Sequence, residues 1–231
     1  MTKLTEIGAI ISRKWMKIRL QPIRVFCFHH VCAQFDAETM VACDWMQIDE
    51  FKKKIIAMRQ SGIEFISMNE AHRHIREDKV RNKKYAVLTM DDGYASLKEL
   101  LPWLDEQQIP VTLFINGKYL DGKSHRTNPK EKYLTKKELW SLTSQYIEIG
   151  SHGWEHINAL DMSTDEFIQS TEQNVELLNT HQRYIPFHAY TWGRHTKATD
   201  AYLQAQDITP VLMDGMKNYN ESDVIHRELM N

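Results

Sequence analysis

The chain has 231 residues, a length that suits one α/β domain with a core large enough to need no disulfide staples. Its apolar content of 42% and charged content of 26% are ordinary for a globular protein and exclude a disordered chain. The formal net charge of −2 argues against a nucleic-acid partner. Cys27, Cys32 and Cys43 form no C-x-x-C pair, so we expect a reducing, cytoplasmic environment.

Residues 1–22 are predicted to form an amphipathic extension of a single domain that spans residues 1–231. Between residues 7 and 20, isoleucine, tryptophan and leucine alternate with arginine and lysine, which is typical of a helix with a basic face. Packing on the domain is the commoner outcome for such a helix. Peripheral contact with the inner face of a membrane is the alternative.

Short apolar runs then alternate with amphipathic stretches, which predicts βα units and a largely parallel sheet. The predicted strands are residues 24–28, 63–67, 85–90, 111–115, 146–150, 187–190, 208–213 and a short run near 224–226. The predicted helices are residues 49–60, 69–76, 96–107, 135–145, 163–179 and 196–205. Asn69 is expected to cap the second helix, and Thr135 with Glu138 and Ser163 with Glu166 form capping boxes. The polar segment 117–133 is predicted to be a loop.

Two adjacent carboxylates, Asp91 and Asp92, directly follow an apolar predicted strand. An Asp-Gly turn is common at strand ends and needs no functional explanation. Two carboxylates at a buried strand end nevertheless repel each other, so they require a cation or a shared proton. Sites in parallel α/β folds form at the carboxyl ends of strands, which favours a functional role.

A histidine pair, His152 and His156, follows another predicted strand. In a chain with eleven histidines, this spacing alone also fits two unrelated surface residues. Together with Asp92, however, the two imidazoles form a ligand set that zinc uses in catalytic sites, where a position stays open for water. Asp91 could then take the proton of a water whose pKa the metal lowers to roughly 7.

These motifs resemble those of the polysaccharide deacetylases of carbohydrate esterase family 4. The family motif T-F-D-D-G corresponds to T-M-D-D-G at residues 89–93, and H-[S/T]-x-x-H corresponds to H-G-W-E-H at residues 152–156. The sequence F-H-H-V at residues 28–31 is similar to the Y-H-x-V that follows the first strand in many members. The resemblance extends from about residue 23 to the C-terminus.

The resemblance implies a distorted (β/α) barrel that binds a divalent metal, with zinc the expected ion, and removes an N-acyl group, chiefly acetyl, from an amino sugar. It assigns Asp91 as the general base and Asp92, His152 and His156 as metal ligands. It also implies that a backbone N–H near Tyr94 stabilises the oxyanion. His29 is expected to contribute to the substrate site.

The later motifs depart from the family pattern. Residues 187–194 read F-H-A-Y-T-W-G-R where a subgroup has F-A-Y-P-Y-G, and the arginine that usually orients the base is missing there. Arg194 and Arg227 are the candidates to replace it. His226 fits the L-x-H motif of the acid that protonates the leaving amine, although a strand-end histidine without a role fits equally well. The subgroup often has an arginine at this motif, so Arg227 is the alternative equivalent residue.

Aromatic residues lie near the proposed site. Trp154, Tyr190 and Trp192 could stack on a sugar ring or fill the core, and Arg194 could bind substrate. Tyr190 shares a predicted strand face with His188 and is expected to point into the barrel.

Cysteine and histidine also cluster near the first strand, at residues 27, 29, 30 and 32. On a strand, residues 27 and 29 share one face, while residues 30 and 32 share the other. One metal ion could therefore not easily collect all four.

The sequence thus predicts a metal-dependent deacetylase of an amino sugar, acting on a precursor of a glycan or surface polysaccharide in the cytoplasm. Two alternatives stay open: a non-catalytic protein that binds glycans on a decayed deacetylase fold, and a hydrolase of a non-sugar amide.

Overall fold

A computed structural model describes residues 21–35, 45–77, 82–123 and 132–230, so the predicted N-terminal helix lies outside the described residues. The strands in these ranges are β1 Ile23–Phe28, β2 His30–Cys32, β3 Trp45–Gln47, β4 Ile63–Phe65, β5 Lys84–Met90, β6 Val111–Ile115, β7 Ile147–Ser151, β8 Tyr184–Ala189, β9 Thr209–Met213 and β10 Ile225–Leu229. The α-helices are α1 Ile48–Gln60, α2 Met68–Glu77, α3 Leu97–Glu106, α4 Lys136–Trp140, α5 Thr164–Leu178 and α6 Lys197–Ala205. Short 3₁₀ helices span Gly117–Leu120, Ala159–Asp161 and Thr191–Gly193.

Seven parallel strands close into a barrel in the order β1, β10, β9, β8, β7, β6 and β5, and β5 pairs back with β1. Strand β4 pairs with the first half of β5, where Phe65 lies opposite Ala86. Strands β2 and β3 form a separate parallel pair. The predicted (β/α) barrel is therefore confirmed.

The barrel interior is apolar over most of its depth. Inward side chains from several strands, among them Val87, Phe187 and Val211, form one buried cluster. Helix α2 contributes Met68, Ala71 and Ile75 to this cluster. On β7, the carboxylate of Glu148 accepts hydrogen bonds from the first N–H groups of α2. Helix α2 therefore closes the end at which the strands begin, and the opposite end is left for polar residues.

A second apolar layer lies between the barrel and its surrounding helices. Buried side chains of α1, α3 and α5 pack against outward-facing residues of the strands, among them Phe51, Leu100, Leu104, Leu178, Leu88 and Ile149. None of the described helices meets both the length and the apolarity needed to cross a membrane.

Three predictions at element ends need correction. The second helix begins at Met68, and the Ser67 hydroxyl accepts from the Glu70 N–H, so the prediction that Asn69 caps it is wrong. The helix capped by Thr135 ends at Trp140 rather than near residue 145, and turns at residues 141, 145 and 146 lead from it into β7. The predicted loop begins with a 3₁₀ turn, and residues 124–131 lie outside the described residues.

Candidate metal and catalytic site

The turn after β5 brings two carboxylates to the open end of the barrel. Asp92 has φ 72° and Gly93 has φ 81°, both in the left-handed region. Aspartate tolerates this region better than most residues, whereas a Cβ at position 93 would lie 2.9 Å from a methyl group of Ile115. Asp91 and Asp92 are both buried at this turn.

Asp92, His152 and His156 converge on one point. The Nε2 atoms of His152 and His156 lie 3.4 Å and 3.3 Å from the same oxygen, Oδ1 of Asp92. The Nδ1 of His152 lies 2.7 Å from the carbonyl oxygen of Ala189 and donates its proton there, which leaves the Nε2 lone pair directed toward Asp92. Two imidazole nitrogens and one carboxylate oxygen within 4.8 Å of one another fit a divalent ion such as zinc.

Two buried asparagines hold the loop that carries His152; we call Asn116 and Asn174 the asparagine clamp. Asn116 donates to the carbonyl oxygens of His152 and Gly153. Asn174, on α5, accepts from the Gly117 N–H at 2.8 Å and donates to the carbonyl of Ile115 and to the Ser151 hydroxyl. The clamp therefore joins the loops after β6 and β7. Asn174 lies far from the sequence motifs, and no signal in the sequence pointed to it.

Asp91 forms a buried ion pair with Arg227 of β10. The Nη1–Oδ1 and Nη2–Oδ2 distances are 2.6 Å and 2.9 Å, and Arg227 also donates to the Thr89 hydroxyl at 3.1 Å. The guanidinium lies 5.1 Å from the ring centroid of Phe114. Of the two predicted candidates to orient the base, Arg227 thus contacts Asp91, whereas Arg194 is exposed and does not line the cavity.

The ion pair determines the charge state of Asp91. Burial alone would raise the pKa of this carboxyl, but the positive charge of Arg227 and the hydrogen bonds from Arg227 lower the pKa to about 2. Burial lowers the pKa of Arg227, but the negative charge of Asp91 and its hydrogen bonds have the larger effect. The pKa of Arg227 is therefore raised above its ordinary value. Both groups are therefore charged at neutral pH.

A cavity of about 240 Å³ contains the carboxylates and the histidine pair. Besides these four residues and Arg227, its lining comprises His29, Tyr190, Trp192, Gly193, Met213 and Leu229. The Trp192 side chain is 68% exposed, and its ring lies edge-on to His156 with the centroids 5.1 Å apart. The sequence motifs did not point to Met213 or Leu229, although Leu229 lies two residues from Arg227 and so on the same face of β10.

Three further predicted site residues, His226, Trp154 and Tyr94, do not line the cavity. His226 points to the opposite face of β10 from Arg227, and its Nδ1 lies 2.7 Å from Asp214, so the structure does not bring it to the cavity. Trp154 packs against Gly117 and borders a different cavity. Tyr94 is buried in a stack with His30 and Tyr133, and the predicted role of its N–H stays a prediction.

Tyr190 borders the cavity, but its ring packs outward with Phe167 and Leu203. Its hydroxyl donates to Asp200 of α6 at 2.9 Å, and burial raises the pKa of this phenol. The prediction that Tyr190 points into the barrel is therefore wrong. The register of β8 places Ala189 inward instead.

Comparison with known proteins identifies the family and relatives of the chain. Residues 78–211 match the sequence model of the family described as Polysaccharide deacetylase. A curated Bacillus subtilis (strain 168) protein named "Putative polysaccharide deacetylase YxkH" is 22% identical over 152 residues, which are 65% of this chain and 52% of that protein. The chain thus spans about half the length of this relative.

Solved structures share the fold at low sequence identity. IcaB from Ammonifex degensii aligns with a TM-score of 0.77 at 18% identity, over 91% of this chain and 92% of that chain. The Streptococcus pyogenes deacetylase PplD in complex with acetate aligns with a TM-score of 0.77 at 19% identity, over 91% and 93% of the two chains. Because the family match extends over more than half of the sequence, the chain belongs to the polysaccharide deacetylase family.

Proposed function

We propose that this protein hydrolyses the N-acetyl group of an amino sugar within a saccharide and that it depends on a divalent metal, with zinc the expected ion. The observation that carries the proposal is the convergence of Asp92, His152 and His156 beside the ion-paired Asp91 in one cavity. The names of the relatives, which include deacetylases, support this reaction class.

The metal would be held by Asp92, His152 and His156. When bound, a divalent ion acts there as a Lewis acid that polarises a carbonyl oxygen and lowers the pKa of water. The hydrogen bond from His152 to Ala189 fixes the tautomer that can ligate, and the asparagine clamp fixes the loop. The chain therefore contributes a preorganised set of ligands rather than one assembled on binding.

Asp91 would act as the general base. It is ionised, it lies beside the ligand set, and Arg227 donates one hydrogen bond to each of its oxygens. In the reaction, the oxygen of water bonds to the amide carbon, its proton passes to Asp91, and the bond from carbon to nitrogen breaks. Arg227 would be a positioning residue that orients the carboxylate, in the role that the resemblance assigns to an arginine elsewhere in the chain.

His29 is the better candidate for the acid that protonates the leaving amine. His226 lies outside the cavity, whereas His29 lines it and has a ring nitrogen within 4.8 Å of a carboxylate oxygen of Asp91. General acids must lie within hydrogen-bond reach of the leaving group. For a saccharide that occupies the cavity, His29 would meet this condition, and histidine is the side chain most often used for this role.

The rim of the cavity would bind the sugar. Trp192 offers an exposed aromatic face, and Met213 and Leu229 add apolar surface. Apolar ring faces of sugars stack on such surfaces. That the saccharide is an intracellular glycan precursor, and that residues 1–22 touch a membrane, remain proposals from the sequence.

The test is acetate release from N-acetylated nucleotide sugars, lipid-linked sugars and chito-oligomers. We expect release from at least one class by the metal-loaded wild type, and a loss on the order of 1000-fold or more in Asp91→Asn with metal still bound. Release of acetate by Asp91→Asn at the wild-type rate would overturn the assignment of the base. Saccharide binding without any acetate release would favour a non-catalytic glycan-binding protein.

A further inference from the structure

We propose that Cys27, His29 and Asp91 form a second site, for a thiophilic divalent ion, and that an ion bound there inhibits the site beside it. The ligating atoms of these three residues lie within 4.8 Å of one another. The inhibitory consequence depends on the function proposed above, whereas the binding of the ion does not.

Neighbouring strands bring the three residues together. Strand β1 pairs with β5 in a register that sets Cys27 opposite Thr89, and the Asp91 N–H donates to the carbonyl of Phe28. Cys27 and His29 lie two residues apart and so on the same face of the chain. They also line a cavity of about 170 Å³ that adjoins the catalytic cavity through His29 and Leu229.

The ligand set selects the class of ion. A thiolate, an imidazole and a carboxylate are ordinary ligands of zinc, and a thiolate disfavours magnesium, calcium and manganese. A bound ion displaces the thiol proton of Cys27 to solvent and forms a bond between metal and sulfur, with no change of oxidation state. Zinc, cadmium and cobalt(II) are therefore the expected occupants.

Arg227 makes this site the weaker of the two. Its guanidinium donates to both oxygens of Asp91, so an incoming ion must share the carboxylate and meets a positive charge within the same buried region. At the first site, the Nε2 atoms of His152 and His156 lie 3.4 Å and 3.3 Å from Oδ1 of Asp92. The second site should therefore fill only when the metal is in excess.

Occupancy would remove two groups from the reaction at once. Asp91 would give its electron pair to the ion instead of accepting a proton, and His29 would no longer carry a proton to the leaving amine. The chain could thus lose deacetylase activity in excess zinc while the ligands Asp92, His152 and His156 stay loaded.

Cys32 offers a matched control for Cys27. It is also buried, but its sulfur lies 3.0 Å from the indole nitrogen of Trp45 and outside the Cys27 cluster. Cys32→Ser removes one thiol from the same region of the chain, whereas Cys27→Ser removes a proposed ligand.

The experiment is a cobalt(II) titration of the purified full chain, followed by the thiolate-to-cobalt charge-transfer absorption and by elemental analysis. We expect the band to appear with the second equivalent, which binds at least about tenfold more weakly than the first. The band should persist in Cys32→Ser and disappear in Cys27→Ser, which should retain one equivalent. If the wild type at excess cobalt shows no such band, the proposal is wrong, and this measurement needs no variant. The proposal is also wrong if the band is lost in Cys32→Ser but not in Cys27→Ser.

Assays of acetate release distinguish failure of the second metal site from failure of the proposed function. Excess zinc should inhibit release by the wild type, excess magnesium should not, and Cys27→Ser should resist inhibition. If no saccharide yields acetate but the cobalt band follows Cys27, the proposed function fails and the metal site stands. If acetate is released and excess zinc leaves the rate unchanged, the inhibitory role fails and the proposed function stands.

Discussion

Arg227 and Asp91 illustrate how one residue pair fixes both charge and geometry at the barrel mouth. The guanidinium is fully buried, bonds both carboxylate oxygens and is held by Thr89 and Phe114. A planar donor with two parallel N–H groups suits this geometry, and a lysine ammonium does not. Lysine at position 227 should therefore not replace the function of arginine.

Replacing Arg227 by methionine should lower the free energy of unfolding by about 3–5 kcal/mol, because Asp91 would be left buried without its partner. Denaturant unfolding at neutral pH measures this loss. Catalytic efficiency should fall on the order of 100-fold in Arg227→Lys, because the base loses its orientation.

Arg24 provides the control, since it also donates two hydrogen bonds to one carboxylate, that of Glu228. Its side chain is 41% exposed, and that of Glu228 is 23% exposed. Arg24→Met should therefore cost less than about 1 kcal/mol. Equal losses at positions 24 and 227 would contradict the importance of burial.

Asn174 tests the asparagine clamp. In Asn174→Leu the Gly117 N–H loses its buried acceptor, so unfolding should become easier by about 1–3 kcal/mol. Zinc affinity at the Asp92 site should fall about 10- to 100-fold, because the loop carrying His152 loses an outer support. Calorimetric titration measures the affinity, and Gln173→Leu, an exposed neighbour on α5, is the control. Unchanged zinc affinity in Asn174→Leu would refute the positioning role.

At the scale of elements, the short helix α4 has a network of charged and polar hydrogen bonds at its first turn. Glu138 accepts from Lys98 and closes a capping box with Thr135. The hydrogen bond from Lys98, followed by those from Thr135, lowers the pKa of Glu138 from 4.5 to about 2. A carboxyl with a depressed folded-state pKa stabilises the fold above its ordinary pKa, and this stabilisation is lost as pH falls.

We expect Glu138→Gln to lower the melting temperature most at neutral pH. The difference from the wild type should shrink as pH falls from about 4.5 to about 2, the interval between the two pKa values. Melting curves across this range check the prediction, with Glu106→Gln on the exposed surface of α3 as the control. A difference that grows toward low pH would contradict it.

Site residues could be predicted from the sequence where they lie close together in one motif. Asp91, Asp92, His152 and His156 could be predicted because each pair lies within one short motif. The choice between His226 and Arg227 depended on which face of β10 meets the barrel. Ile225 and Leu229 are apolar and lie two residues on either side of Arg227, so the sequence indicated that Arg227 shares their face. The interpretation instead followed a three-residue motif match to His226.

At the scale of the whole molecule, the core and the site occupy different depths of the barrel. Apolar side chains and α2 fill the end at which the strands begin, and the ligands lie at the other. The fold should therefore not depend on metal in the way that a structural zinc site does. The alternating elements of the sequence predicted βα units and a largely parallel sheet, and the family resemblance implied the barrel. Neither predicted the closure by α2, which depends on contacts distant in the chain.

Chelation should therefore leave the protein folded. The free energy of unfolding of the chelated protein should be about 2.7 kcal/mol lower than that of protein in metal at 100 times the Kd. Circular dichroism should show an unchanged fold at 25 °C, and thermal melts should show the lower stability. Unfolding on chelation would show that the metal holds the barrel together.

The measurement that tests the central claim most directly is acetate release by the chelated protein during titration with zinc. If Asp92, His152 and His156 hold the catalytic ion, activity should rise in proportion to the first equivalent bound, and His156→Gln should need a higher zinc concentration. Full acetate release from a protein free of metal would contradict the account, as would an absence of release at full occupancy of the first equivalent.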